Sequence, residues 1–166
     1  MEDCYLGKAT ERLFLPLLKL TLPELVDLEL PLEGVFNGCA IVSIRKACAG
    51  HAFQVMNAIW GRRQTRYTKF IVVVDEHVDV HDPGEVAWRV FNNVSPERDC
   101  LIVRGPLDAL DHASPHARYG AKMGIDATRT WPEEGHARPW PDELAMDPAV
   151  VAQVTSRWRE LGLPFS

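Results

Sequence analysis

The stretch TKFIVVVDEHVDVHDPGEVAWRVF, from Thr68 to Phe91, holds a strand, a turn and the start of a helix in unbroken succession. Phe70–Val74 is a short apolar, β-branched run, the composition of a strand covered on both faces in a parallel sheet. Four carboxylates and two imidazoles follow between Asp75 and Asp82. Asp82 can then accept from the first backbone amides of a helix, Pro83 suits its first position and Glu85 completes a capping box, which predicts a helix to about Phe91.

The same alternation extends outward. Upstream, Cys39–Ile44 reads as a second buried strand, and Ala52, Val55, Met56 and Ile59 fall at i, i+3, i+4 and i+7 between Gly50 and Gly61, which predicts a helix over His51–Trp60. Downstream, Cys100–Val103 reads as a third strand. Asp147-Pro148 opens a last helix whose stripe Val151, Val154, Trp158 and Leu161 should bury one face before Gly162 ends it. Thr10–Leu20 is apolar enough for a helix, with Pro16 forcing a kink. From Arg104 to Asp142 there are five prolines and no sustained period, so this arm should wander over a surface. The expected fold class is therefore α/β, a mostly parallel sheet with flanking helices, a long proline-rich arm and a C-terminal helix, all in one domain over residues 1–166.

Composition narrows the class of molecule. The chain has 166 residues, 46% hydrophobic and 25% charged, with a net charge of −5. That suits a globular core and argues against disorder. No run of about 18 apolar residues could span a membrane, and MEDCYLGKAT has neither the basic region nor the apolar core of a signal peptide, so a cytoplasmic protein is expected. Cys4, Cys39, Cys48 and Cys100 are scattered without a C-x-x-C pair, which fits reduced thiols rather than disulfides or zinc. The acidic balance argues against a general nucleic-acid binder.

Several clusters could carry chemistry. On an extended backbone, His77, Asp79 and His81 would share one face and could hold a divalent metal, although an acidic loop that caps the next helix explains the same residues more simply. Arg62, Arg63, Arg66 and Lys69 precede the strand with no acid among them. They could meet a phosphate or carboxylate, or simply be solvated. Asp108, Asp111, His112 and His116 form a weaker metal-like group interrupted by Ser114-Pro115. Cys48 lies near His51, a pair more typical of a small buried thiol than of a nucleophile and its base. The five tryptophans suit a core or an interface. G-x-S-x-G, G-x-G-x-x-G and a Walker loop are all missing from the sequence.

Four phrases, taken in order, are more specific. Glu2-Asp3-Cys4-Tyr5 with Ala9-Thr10, then Ile41–Lys46 with Gly50-His51-Ala52, then Thr68–Phe70 through Val74–Val80, and finally Gly120–Thr128 resemble the C-terminal part of UbiD-family decarboxylases over nearly the whole chain. The resemblance implies reversible, non-oxidative decarboxylation of aromatic or α,β-unsaturated acids with prenylated FMN, manganese and potassium, in homo-oligomers. It also implies that an upstream split-barrel domain, or a separate large subunit, holds the cofactor, the metals and the catalytic Glu-Arg-Glu set, so that this chain contributes no catalytic residue and no metal ligand. What it leaves here is one wall of the pocket: Arg63 toward the cofactor, and Arg66, Tyr67, Pro106 and Leu107 toward the substrate.

Three readings of function follow. The chain is the C-terminal domain or small subunit of such a carboxy-lyase, inactive alone, with a small aromatic or unsaturated acid as substrate and neither nucleic acid nor membrane as partner. Alternatively it is a non-catalytic assembly module, or a free-standing metal enzyme using His77, Asp79 and His81.

Overall fold

A computed structural model of the chain describes residues 2–35, 37–143, 145–158 and 160–162. Five strands form one sheet in the order β1-β2-β3-β5-β4, with β1 at Leu25–Glu29, β2 at Cys39–Ile44, β3 at Phe70–Asp75, β4 at Cys100–Pro106 and β5 at Tyr119–Asp126. The central strands β2, β3 and β5 run parallel, and β1 and β4 close the two edges antiparallel to their neighbours. The α/β class and the parallel core expected from the buried strand runs are both present.

Period-2 alternation assigns the two faces. Val42 and Ile44 of β2 and Ile71 and Val73 of β3 point to one side, where they meet α1 (Glu2–Lys19) and α2 (His51–Trp60) through Leu15, Leu18, Val55, Met56 and Ile59. Ile41, Val72 and Val74 point to the other, where Val86 of α3 (Pro83–Asn93) covers them with Val78, Val80 and Ala127. Asp82 caps α3 as its chemistry predicts, accepting from the amides of Gly84 and Glu85 at 2.8 and 3.1 Å. The Glu85 carboxylate, however, accepts from the Asp79 amide at 3.2 Å, tightening the preceding turn.

The structure corrects the sequence reading in several places. Helix α1 begins at Glu2, well before Thr10, and runs through Pro16. Strand β1 escapes a periodicity reading because a bulge shifts its register between Leu25 and Asp27, which breaks the alternation. The arm from Arg104 to Asp142 does not simply wander, since it contains β5, a central strand of eight residues. The stripe of the last helix, α4 (Pro148–Ser156), is not buried: Val150, Val151 and Val154 are exposed, and the helix ends six residues before Gly162. Cys39, Cys48 and Cys100 are free thiols, and the side chain of Cys4 lies outside the described residues. No described helix is long and apolar enough to cross a membrane.

Strand β5 owes its place to glycine. A Cβ at Gly124 would collide with the Met56 sulfur and approach the Trp60 ring within 3.2 Å, so α2 settles on the sheet only because that atom is missing. Gly124→Ala should therefore destabilise the chain by about 1–3 kcal/mol, the usual range for overpacking a close-packed core. A midpoint of chemical denaturation unchanged from wild type would show that α2 has room to move.

Candidate functional site

A cavity of about 540 Å³ opens at the amino ends of β2 and β3, walled by the turn before β2 and by the loop after β4. Tyr67 and Leu107 both line it, with Phe70, Leu110 and Pro31 adding apolar surface. Arg63, Arg66 and Pro106 lie outside that lining and are exposed. Leu107 is only 1% exposed and forms part of the fold's packing as well as the cavity floor.

Two polar latches fix the loop that carries Leu107. Lys69 at the start of β3 meets Asp111 at 2.6 Å, and Asn37 donates to Asp108 at 2.8 Å. The same carboxylates cap the loop's own turns, accepting from the Ser114 amide at 3.1 Å and the Leu110 amide at 2.9 Å. The hydrogen bond from Lys69, and then that from Ser114, hold the Asp111 carboxyl below the usual carboxylate range. Burial pushes the Cys39 thiol on the cavity wall up to about 11, so it is an inert lining atom at neutral pH.

The basic run before β3 disperses. Arg62 donates to the Thr21 hydroxyl, and Lys69 is engaged by Asp111. The Arg66 guanidinium lies 4.7 Å from the Tyr67 ring centroid and donates to its hydroxyl at 2.7 Å. Among the described residues, neither Arg63 nor Arg66 forms an ion pair with a carboxylate.

The other sequence candidates take structural roles. His77 and His81 diverge across the turn, His77 approaching Glu143 at 3.3 Å and His81 lying between Asp27 at 3.1 Å and Glu29. Asp79 accepts from the His81 amide at 2.9 Å, so the three do not converge on one point. A different trio, Glu11, Glu29 and His81, does converge, but the Lys8 ammonium already bridges its two carboxylates. His51 accepts from the Ala47 amide at 3.0 Å and faces Glu24 at 3.4 Å, which leaves it no role as base for Cys48. Asp108 and Asp111 are latches, as above. One charged residue near the site gave no signal of its own: Lys122 of β5 is buried and donates to the Arg66 carbonyl.

A second built region lies at the opposite, carboxyl ends of β2, β3 and β5. There the buried Lys46 ammonium meets Glu134 at 2.7 Å and donates to the Thr128 hydroxyl at 3.0 Å and the Arg129 carbonyl at 2.9 Å. Glu134 also accepts from the Gly50 amide at 2.8 Å, so the N-terminus of α2, the natural seat for a phosphate, is taken by a carboxylate of the chain.

With this geometry in place, known proteins identify the chain's kind. Residues 4–127 match the family model of the 3-octaprenyl-4-hydroxybenzoate carboxy-lyase C-terminal domain, and the chain belongs to that UbiD family. A protein of Aquifex aeolicus is 50% identical over 162 residues, covering 98% of this chain and 33% of its own length. Among solved structures, the UbiD-class enzyme HmfF from Pelotomaculum thermopropionicum, in complex with FMN, is 28% identical with a TM-score of 0.73, covering 88% of this chain and 32% of that one. Vanillic acid decarboxylase of Sedimentibacter hydroxybenzoicus in its closed form is 27% identical with a TM-score of 0.74, covering 89% and 31%. The chain thus spans about a third of the length of the relatives it matches.

Among the described residues the one convergent ligand trio is bridged by Lys8, the α2 N-terminus is occupied by Glu134, and Lys69 at the cavity is paired with Asp111.

Because the Asp111 carboxyl is held low in the folded chain, its latch contributes stability that is complete above the ordinary carboxylate value of about 3.9 and is lost as pH falls through the lower folded value. Asp111→Asn should speed amide exchange at Ser114 at pH 7 and leave that of β3 unchanged. Equal protection of Ser114 in both proteins would remove the latch.

Proposed function

We propose that residues 1–166 act as one unit, the C-terminal domain or small subunit of a reversible, non-oxidative carboxy-lyase of aromatic or α,β-unsaturated acids, and that the cavity at the amino ends of β2 and β3 is its wall of the active site. The observation that carries this reading is the convergence of Tyr67 and Leu107, distant in sequence, on one largely apolar cavity beside Arg66. An apolar wall with the Arg66 guanidinium beside it suits a flat acid whose ring needs burial and whose carboxylate needs a positive neighbour. In this reading Arg63 faces the cofactor and Arg66, Tyr67, Pro106 and Leu107 face the substrate. Prenylated FMN, manganese and potassium are held by the remaining two-thirds of the protein or by a separate large subunit.

Exposed apolar surface supports a large missing neighbour. Leu6, Leu13 and Leu17 form a second stripe on α1, continued by Leu20 just after it and apart from the buried Leu15 and Leu18, and α4 adds Val150, Val151 and Val154. Surface of that kind is where a domain or a second copy of the chain packs. The assembly-module reading rests on the same stripe, and activity separates the two.

The isolated chain should be colourless and inactive on aromatic acids, and should self-associate in sedimentation velocity. Stoichiometric retention of a flavin by it would overturn this reading. In the complete enzyme, Arg63→Ala should weaken cofactor or substrate binding by about 1.5–3 kcal/mol, the range for a hydrogen bond to a charged group, with little change in unfolding temperature. Lower stability with intact activity would make Arg63 scaffold.

A further inference from the structure

The inward face of β5 reads Gly120, Lys122, Gly124 and Asp126, two glycines and two ionisable groups, of which Lys122 and Gly124 lie against α2 and the segment that follows it. Asp126 is provided for: it accepts from the Thr128 hydroxyl at 2.6 Å and amide at 3.0 Å, with Lys46 at 3.8 Å. Lys122 is not. It is 3% exposed, its ammonium stands 5.7 Å from the Trp60 ring centroid, and among the described residues no carboxylate forms an ion pair with it. Its partner is a backbone carbonyl, that of Arg66.

We propose that Lys122 is a positioning residue, gripping the Arg66 carbonyl from beneath and so setting how Arg66 and Tyr67 face the cavity; the proposal rests on the reading of that cavity as the substrate wall.

Stability alone does not account for a lysine here. A buried ammonium without a counter-ion is unfavourable, and a methionine of similar length would fill the same space without that penalty. The unfavourable burial is visible in the lysine itself, whose pKa is pushed down to about 8. What Lys122 provides that methionine lacks is a donor at the middle of the Gly61–Lys69 segment. The residues on either side of Arg66 and Tyr67 are pinned independently, by the Thr65 hydroxyl on the Ile59 carbonyl at 2.6 Å and by the Trp60 indole on the Thr68 carbonyl at 2.9 Å. Between them Arg66 and Tyr67 are the central pair of a turn closed by the Thr68 amide on the Thr65 carbonyl at 3.1 Å; their side chains meet each other at 2.7 Å, and Lys122 adds a grip on the carbonyl that joins them, which neither turn residue supplies.

The test uses the complete decarboxylase that contains this chain, as wild type, Lys122→Met and Lys122→Arg. The methionine variant should fold, keep or raise the unfolding temperature at pH 7, and raise KM for the acid substrate about tenfold with kcat little changed, the pattern of lost ground-state positioning. Amide exchange at Tyr67 and Thr68 should speed up by a similar factor while β3 stays protected. Arginine, which restores a donor, should recover part of the KM. A methionine variant that fails to fold, or that loses stability with KM unchanged, would make Lys122 a scaffold residue and overturn the proposal. If the wild-type enzyme decarboxylates no aromatic or unsaturated acid, the substrate reading fails instead. The exchange measurement needs no substrate and still decides the lysine: unchanged protection at Tyr67 and Thr68 in Lys122→Met rejects it.

Discussion

Close approach of α2 to β5 is the constraint on which the rest of this chain hangs. Only a glycine at 124 lets Met56 and Trp60 reach the sheet, and the indole so placed donates to the Thr68 carbonyl and thereby sets where β3 begins. The segment between helix and strand is tied back to α2 at Thr65 and Thr68. Tyr67 is then delivered to the cavity lining, with the exposed Arg66 stacked on its ring. A backbone contact that excludes one methyl group thus decides the position of residues several ångströms away, because a close-packed interior transmits displacement rather than absorbing it.

How much of this could be read in the sequence follows from which interactions are local. Strands β2 and β3 and helices α2 and α3 declare themselves, since their signals are period, caps and turn residues within a dozen positions. Strand β5 does not: Tyr119–Asp126 has two glycines, a lysine and one β-branched residue, and it is a strand because of what packs on it. Strand β1 is hidden by its bulge. Nothing in the described fold covers the apolar stripe of α4, so periodicity predicted a buried face that the chain leaves open.

The proposed site was legible only through resemblance. Nothing in composition or spacing links Tyr67 to Leu107, and the Lys69–Asp111 latch spans 42 positions. The four basic residues before β3 looked like one cluster, yet the turn sends them to a hydroxyl, to solvent, to a tyrosine and to an aspartate. Charge proximity along a chain predicts charge proximity in space only where the backbone is regular, and this segment is not. Lys122 shows the converse: its partner is 56 residues away, and a lone lysine among glycines carries no signal that it will be buried.

Open α/β sheets ordinarily bind ligands at the carboxyl ends of their parallel strands, and this chain has closed that end on itself. Glu134 ties the arm after β5 to Lys46 of the β2 end and to the Gly50 amide, and Glu143 further along is gripped by Arg89 of α3 at 2.6 and 3.0 Å. The crevice that remains there is about 260 Å³, lined by paired charges. Burial works against ionised Glu134, but Lys46 and the amides of Trp131 and Gly50 outweigh it and hold its carboxyl below the usual range, so Glu134 is ionised at neutral pH. With the customary end strapped shut from within, the larger apolar opening falls at the amino ends of β2 and β3, where the antiparallel edge strand β4 delivers Leu107. The antiparallel turn of that one edge strand is what makes an amino-end cavity possible, because a parallel β4 would have carried its following loop to the strapped end.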